Sequence, residues 1–223
     1  TVAAGGGSIL SFDGSRYRVG PDSAGADPGP TCYRRGGPLT VTDCNVLLGK
    51  LHPAHFPAVF GPNGDLPMDA DIVRKKFSEL AKEIAASTSK PIQTPEAVAD
   101  GFLRVAVENM ANAIKKVSVQ RGYDVTEYTL NCFGGAGGQH ACMVADALGI
   151  EKIFIHPFAG ILSAYGIGLA DIRAIREKTI ETPIENGSYK PLQKSLKRMM
   201  KSLEKEAVAE ISEQGITSAN TKI

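Results

Sequence analysis

The residues best suited to chemistry form a glycine-rich run, FGGAGGQH, that contains Gly134, Gly135, Gly137, Gly138 and His140. The flanking residues predict a strand before it and a helix after it. Glycines let a ligand approach the backbone, and the unpaired N–H groups of a helix N-terminus attract an anion. The run lacks the lysine of a P-loop, and His140 replaces the third glycine of the dinucleotide fingerprint. It therefore indicates a nucleotide-type site of neither standard kind, or else a tight strand-to-helix crossing without a ligand.

A second glycine run lies near the start of the chain, where Gly5, Gly6 and Gly7 precede Ser8. Consecutive backbone N–H groups beside a hydroxyl suit a turn that contacts phosphate. The same composition also suits a flexible leader, so the sequence leaves both interpretations open.

Histidine offers one further candidate. His140 falls in the predicted first helical turn, where the helix dipole should lower its pKa and favour the neutral imidazole. His52 and His55 lie in a loop broken by proline without a third ligand nearby, so we take them as surface residues and predict no metal site in the protein itself.

Three carboxylates, Asp22, Asp27 and Asp43, lie in or beside a loop rich in glycine and proline. A loop of this length is typical of functional segments, and carboxylates there could hold Mg²⁺ or a water molecule. Helix capping and Asx-turns are the structural alternative. We take Asp27 and Asp43 as candidate catalytic residues.

The amino-acid composition limits which classes of protein the chain can belong to. The 223 residues are 43% hydrophobic with a net charge of +1, which supports a folded core and favours neither nucleic acid nor a membrane surface as a partner. The longest uncharged apolar stretch, residues 157–170, is shorter than a membrane span. Four cysteines without a CxxC spacing indicate reduced thiols in a cytoplasmic protein.

The elements that must position the first candidates are short strands and turns. Residues 8–20 alternate around Asp13-Gly14, which predicts a β-hairpin. A glycine/proline loop follows over residues 21–38. After it, Thr42 or Asp43 is the predicted N-cap of a short helix.

The rest of the sequence, from residue 68 onward, predicts helices and a βαβ unit. Helical spacing predicts a helix of about four turns from Asp69, with Asp69 or Asp71 as its N-cap. A long helix is predicted to start at the cap Thr94, with Pro95 in its first turn, and to run to Gly122. A buried strand over 129–133, a helix ending at Gly149 and a strand over 152–157 form a right-handed parallel βαβ unit. We predict a further helix in the run GILSAYGIGLADI, a strand over 176–184, and an amphipathic helix over 192–214. The predicted segments are 1–67 (strand and loop), 68–122 (helical insert), 123–185 (βαβ) and 186–223 (a truncated C-terminal helix).

Four motifs in order resemble the hydantoinase A/5-oxoprolinase family: TVAAGGGSIL, GPDSAGADPGPTCYRRGGPLTVTDCNVLLGKL, CFGGAGGQHAC and GILSAYGIGLAD. The resemblance covers about residues 1–185, and GGAGGQHAC is most similar to the ATP-dependent 5-oxoprolinases of that family. Thr31 and Cys44 depart from it, because alanine is commoner at both positions.

The resemblance implies an α/β fold, part of an actin-like ATPase lobe of ribonuclease-H-like structure that closes on ATP and Mg²⁺. It places adenosine at the 134–140 turn and the phosphates near Gly5, Gly6, Gly7 and Ser8, with Asp27 and Asp43 on the substrate or Mg²⁺ side. The phosphate motifs of the family lie upstream of the first motif, so we expect an internal fragment that is inactive alone.

The activity implied is the ATP-driven opening of 5-oxo-L-proline to L-glutamate in a cytoplasmic homodimer, with a hydantoinase B-like half as partner. A hydantoinase or an acetone-carboxylase-type ATP-binding subunit is the alternative within the superfamily. From another class, helices 95–121 and 192–214 could form a non-catalytic module for subunit docking.

Overall fold

The computed structural model describes residues 5–181 and 190–216. Its α/β fold divides into two compact units, Thr1–Ser163 and Ala164–Ile223. The candidate site lies in the first unit.

The first unit begins with the predicted hairpin, in which β1 (Ser8–Phe12) pairs antiparallel with β2 (Tyr17–Ser23). Asp13 fixes the turn, because its Oδ1 accepts hydrogen bonds from the backbone N–H groups of Ser15 at 3.0 Å and Arg16 at 2.8 Å. The N–H of Arg16 and the guanidinium of Arg18 lower the pKa of Asp13 to about 2. The Asp13-Gly14 prediction is confirmed.

Helix α1 (Val41–Leu47) begins two or three residues earlier than the sequence suggests. Thr40 is its N-cap, so the prediction of Thr42 or Asp43 is wrong. Asp43 stands at the third helical position and accepts a 2.8 Å hydrogen bond from the backbone N–H of Thr40. This reciprocal arrangement is a capping box, whose acceptor lies three residues after the cap.

Two long helices follow, α2 (Ala70–Thr88) and α3 (Pro95–Val117). The predicted caps are confirmed: Asp69 accepts from the N–H of Ile72 at 3.0 Å, and Thr94 accepts from the N–H of Ala97 at 3.2 Å. Helix α2 has about five turns, one more than expected, and α3 ends at Val117, with a short 3₁₀ turn before Gly122.

The main core joins these helices to the hairpin and α1. Its largest fully buried side chains on α2 and α3 are Val73, Phe77, Val98, Phe102 and Leu103. Apolar residues at helical spacing thus bury one broad face of each helix.

The predicted parallel βαβ unit is confirmed, but its first strand is not buried as predicted: in this two-stranded sheet only Cys132 of residues 129–132 is buried. Strands β3 (Thr129–Cys132) and β4 (Lys152–Ile155) are parallel, and α4 (Ala141–Leu148) connects them. A second core cluster packs α4 against α3. Gly149 ends α4 in the left-handed conformation at φ +71°, as a terminating glycine should.

Two helices follow, α5 (Leu162–Leu169) and α6 (Lys190–Glu213), which confirm the helices predicted there. The strand predicted over 176–184 is wrong for residues 176–181, which have no regular structure and are exposed. Four of these six residues carry charge (Arg176, Glu177, Lys178 and Glu181), so the segment has no apolar face to bury in a sheet. Residues 182–184 of that prediction lie outside the described residues.

Within the described ranges, no helix is both long and apolar enough to cross a membrane.

Candidate functional site

The two glycine runs, far apart in sequence, lie side by side. A Cβ added to Gly6 would stand 3.7 Å from the Cβ of Ala136, in the middle of the second run. The first run is a tight turn in which the N–H of Ser8 donates to the carbonyl of Gly5 at 3.0 Å. We call residues 5–8 the first glycine turn and residues 134–138 the second glycine turn.

One face of helix α1 connects the two turns. Thr42 donates to the carbonyl of Gly6 from both its backbone N–H and its hydroxyl, each at 2.9 Å. Three residues later, Nδ2 of Asn45 donates to Oε1 of Gln139 at 2.6 Å and lies 3.4 Å from Nε2 of His140. Residues three apart share a helix face, so a single turn of α1 contacts both the first glycine turn and the two residues that directly follow the second.

The second glycine turn has an open side. A Cβ added to Gly134, Gly135 or Gly138 would meet no other atom within 4 Å, whereas one on Gly137 would come within 3.0 Å of Sγ of Cys132. Gly134 has φ +92°, a conformation that suits glycine. These glycines therefore leave space above the backbone that a bound group can occupy.

His140 differs in detail from the expectation. It is the N-cap of α4 and not a residue of its first turn, because a 3₁₀ turn over Gly137–Gln139, which includes two of the glycines, precedes the helix. Its pKa is lowered to about 4, mainly by burial and secondly by the charge of Lys50. The neutral imidazole is as predicted, but burial rather than the helix dipole is its cause.

Two buried polar atoms near the second glycine turn have no hydrogen-bond partner among the residues described: Nδ1 of His140 and Oδ1 of Asn45. Buried polar atoms are nearly always paired with protein, water or ligand. His140, at 3% exposure, also borders the adjacent cleft. The pair is therefore consistent with a bound polar molecule.

That cleft lies between α3, β3 and α4 and has a volume of about 450 Å³. Its lining is mostly apolar, with Gly137 and His140 at the border; the apolar side chains include Met110, Ile114, Leu130, Phe133 and Val144. An apolar slot with one imidazole beside it fits a flat heteroaromatic ring. The residues present thus fit the base of a nucleotide.

The first glycine turn offers less open space. Only Gly5 has a clear approach, since a Cβ on Gly6 would crowd the Thr42 hydroxyl and one on Gly7 would come within 2.9 Å of Oγ of Ser23. Ser8 is 4% exposed at the start of β1. Gly6 and Gly7 therefore serve close packing of this turn, and Gly5 is its accessible residue.

Asp43 is fully buried and holds the glycine/proline loop. Its carboxylate accepts from the N–H of Cys32 at 2.8 Å, the N–H of Thr31 at 3.1 Å, and both the N–H and the hydroxyl of Thr40 at 2.8 and 3.0 Å. Burial raises the pKa of Asp43, and the hydrogen bonds oppose that shift. Contrary to the expectation of a substrate or Mg²⁺ contact, its oxygens face the protein, where they order the loop.

Asp27 has the opposite setting, because it is exposed in the same loop. It borders an open cleft of about 510 Å³ together with Arg34, Arg35 and Pro62. Asp22 is exposed as well. Of the two candidate catalytic carboxylates, only Asp27 faces a space that could hold a ligand.

Sequence reasoning missed three polar residues of the site: Asn45, Lys50 and Gln139. Nζ of Lys50 donates to the carbonyl of Gln139 at 3.4 Å, which adds a positive charge beside the second glycine turn. The signal for Asn45 was a polar residue within the apolar run CNVLL, since a buried amide needs partners.

Residues 1–176 match the family model described as hydantoinase/oxoprolinase, and the chain belongs to this family. The 5-oxoprolinase of Dictyostelium discoideum is 51% identical over 175 residues, which are 77% of this chain and 14% of that protein. The chain therefore spans about a seventh of the length of this relative.

Solved structures share the fold. The ATP-dependent caprolactamase from Pseudomonas jessenii superposes with a TM-score of 0.63 at 36% identity, covering 76% of this chain and 23% of that one. Nucleotide-free acetone carboxylase superposes with a TM-score of 0.75 at 23% identity over 97% of this chain and 30% of that one. At that identity the second likeness concerns the fold alone.

Proposed function

We propose that the chain is the ATP-binding segment of a cytoplasmic 5-oxoprolinase, which opens 5-oxo-L-proline to L-glutamate with ATP hydrolysis. The observation that carries the proposal is the contact of the two glycine turns through one face of α1. Side by side, the two turns leave accessible backbone next to an apolar cleft. A nucleotide needs both features, the cleft for its base and the accessible backbone for its phosphates. Similarity to the Dictyostelium 5-oxoprolinase supports the choice of lactam.

In this proposal the lobe is actin-like, and the second glycine turn, including Gly134, Gly135 and Gly138, lies against adenosine. The apolar cleft takes the base and excludes water from it. Neutral His140 offers Nδ1 as a hydrogen-bonding atom at the edge of the base, with Asn45 fixing the other ring nitrogen. Lys50 adds positive charge beside the turn.

The first glycine turn lies on the phosphate side, with Gly5 as its accessible residue. Bound as its Mg²⁺ complex, ATP would supply the phosphoryl group that turns the lactam oxygen into a leaving group. No three His, Cys, Asp or Glu side chains gather into a metal-binding group within the described part of the chain, so Mg²⁺ would arrive with the nucleotide. A hydantoinase B-like half, in a homodimeric enzyme, would hydrolyse the activated ring.

The test is the ATPase activity of the full-length protein that carries this chain, measured with 5-oxo-L-proline, hydantoin, caprolactam and acetone. The proposal expects 5-oxo-L-proline to give the largest stimulation and L-glutamate to appear in step with ADP. Stimulation by hydantoin, caprolactam or acetone, but not by 5-oxo-L-proline, would contradict it. The isolated 223-residue chain should show no turnover, because we expect the phosphate motifs and the hydrolytic half to lie outside it.

A second candidate within the family is a subunit for another ATP-driven reaction. The likeness to the ATP-dependent caprolactamase, at 36% identity, favours it, and the substrate panel separates the two. The docking-module alternative predicts instead a stable dimer of the isolated chain in sedimentation.

A further inference from the structure

The second cleft, of about 510 Å³, is bordered by none of the glycine-turn residues. Three of the four residues that line it carry charge: Asp27, Arg34 and Arg35. A cleft whose walls are mostly charged suits a small polar ligand.

Arg35 is one of the two cations of this cleft. Its guanidinium is exposed, yet two backbone carbonyls hold it: Nε donates to Gly61 at 3.1 Å and Nη1 to Ala26 at 3.5 Å. In the ranges that the structure describes, no carboxylate forms an ion pair with it. A positioned guanidinium whose Nη2 donates no hydrogen bond to any described residue is well suited to a carboxylate.

Arg34 has a different role in this cleft. It adopts φ +62°, an uncommon conformation for a residue with a side chain. Its Nη1 pairs with Asp69 at 2.8 Å, and its Nε donates to the carbonyl of Pro67 at 2.7 Å. Its charge is therefore already matched, and it forms a fixed wall beside Arg35.

Asp27 borders the same cleft but forms an ion pair with neither arginine there. The cleft thus presents a cation and an anion that do not neutralise each other. The ligand that satisfies both has an anionic group for the arginine and an N–H donor for the carboxylate.

The loop that presents these residues is tightly packed and lies next to the first glycine turn. Gly37 is packed so tightly that an added Cβ would overlap the carbonyl oxygen of Gly29, and Nζ of Lys76 donates to the Gly37 carbonyl at 2.9 Å. The N–H of Ala24 donates to the carbonyl of Gly7 at 2.9 Å, which ties the loop to the first glycine turn.

We propose that this cleft binds the lactam acid itself, with the carboxylate of 5-oxo-L-proline on Arg35 and its ring N–H facing Asp27. The inference rests on the proposed function and adds the residues that select the substrate. A lactam without a carboxylate, such as 2-pyrrolidinone, gains nothing from Arg35.

The experiment compares Arg35→Gln, Arg35→Lys and Asp27→Asn in the full-length protein with Arg104→Gln, an exposed arginine of α3 paired with Asp100. Arg35→Gln should raise KM for 5-oxo-L-proline about 10- to 100-fold, the effect of losing a hydrogen bond to a charged group. KM for ATP and the inhibition constant of 2-pyrrolidinone should stay unchanged. Arg35→Lys should recover part of the loss because the charge remains without the fork, and Arg104→Gln should change nothing.

Asp27→Asn should weaken both lactams, because both carry the ring N–H. An unchanged KM in Arg35→Gln, or an equal loss for both lactams, would overturn the assignment of the carboxylate. If the wild-type protein turns over no 5-oxo-L-proline, the proposed function fails. In that case, calorimetric binding of 5-oxo-L-proline that Arg35→Gln abolishes would still support the cleft, and absence of binding would overturn it.

Discussion

Glycines of this chain serve two different purposes, as the glycine/proline loop and the second glycine turn illustrate. In the loop, an added Cβ on Gly29 would come within 2.6 Å of the Tyr33 ring, and one on Gly37 would overlap the backbone of Gly29. In the second glycine turn, a Cβ on Gly135 or Gly138 would meet nothing. The first set is required for packing, whereas the second leaves space beside the protein. Substitutions should therefore separate stability from ligand binding.

The largest expected loss of stability concerns the packed glycines of the glycine/proline loop. Gly37→Ala should lower the free energy of unfolding by at least about 3 kcal/mol, because the overlap forces the backbone to shift. Urea denaturation of the 223-residue chain measures it. The neighbouring Gly36 has φ +76° and open surroundings, so Gly36→Ala should cost only about 1 kcal/mol. Equal losses of stability in Gly36→Ala and Gly37→Ala would show that backbone conformation, and not packing, determines the loss.

The next effect is a pH dependence from His140, the buried residue beside the open turn. Its pKa is about 4 in the folded protein, against 6.5 for an exposed histidine. The unfolded chain therefore binds the proton first, and stability present above pH 6.5 is lost as the pH falls toward 4. The loss should reach up to about 3 kcal/mol. Urea midpoints at several pH values measure it, and the dependence should shrink in His140→Gln but persist in His52→Gln.

A smaller effect should follow from Asp43→Asn. The amide replaces one acceptor oxygen by a donor that faces the N–H groups of Thr31, Cys32 and Thr40, so about 2 kcal/mol of stability should be lost. Asp22→Asn, at an exposed position near the end of β2, is the control and should change little. Normal stability of Asp43→Asn combined with lost turnover would instead support the catalytic role first expected for Asp43.

The smallest effect on stability should come from the open turn. Gly135→Ala should change the free energy of unfolding by less than about 0.5 kcal/mol, because the new methyl group meets no protein atom. Thermal unfolding of the chain is a sufficient measurement. A loss comparable to that of Gly37→Ala would mean that the turn is packed, contrary to its geometry.

Local signals in the sequence predicted much of the fold. Asp13-Gly14, Asp69 and Thr94-Pro95 act on backbone groups within three residues, so turn and capping rules identify them. The βαβ unit follows from the same kind of pattern over residues 129–157. The start of α1 was missed because Thr40, Thr42 and Asp43 all suit an N-cap, and the capping box that selects Thr40, with Asp43 three residues later, was not recognised.

The site was predicted in part. The residues of the second glycine turn were named from their spacing, but the contact between Gly6 and Ala136 depends on how α1 packs. His140 was given the right protonation state for the wrong reason, because burial is not visible in a local motif. Arg34 and Arg35 carried no motif, and only the folded loop places them beside Asp27.

The central claim is that the two glycine turns form one nucleotide site. Calorimetric titration of Mg²⁺–ATP into the full-length protein tests it, with Gly135→Val compared against Gly166→Val, a helical glycine that is equally open. The account predicts that Gly135→Val lowers ATP affinity at least about tenfold, since the side chain occupies the space above the turn, while Gly166→Val binds as the wild type does. Unchanged ATP affinity in Gly135→Val would contradict it.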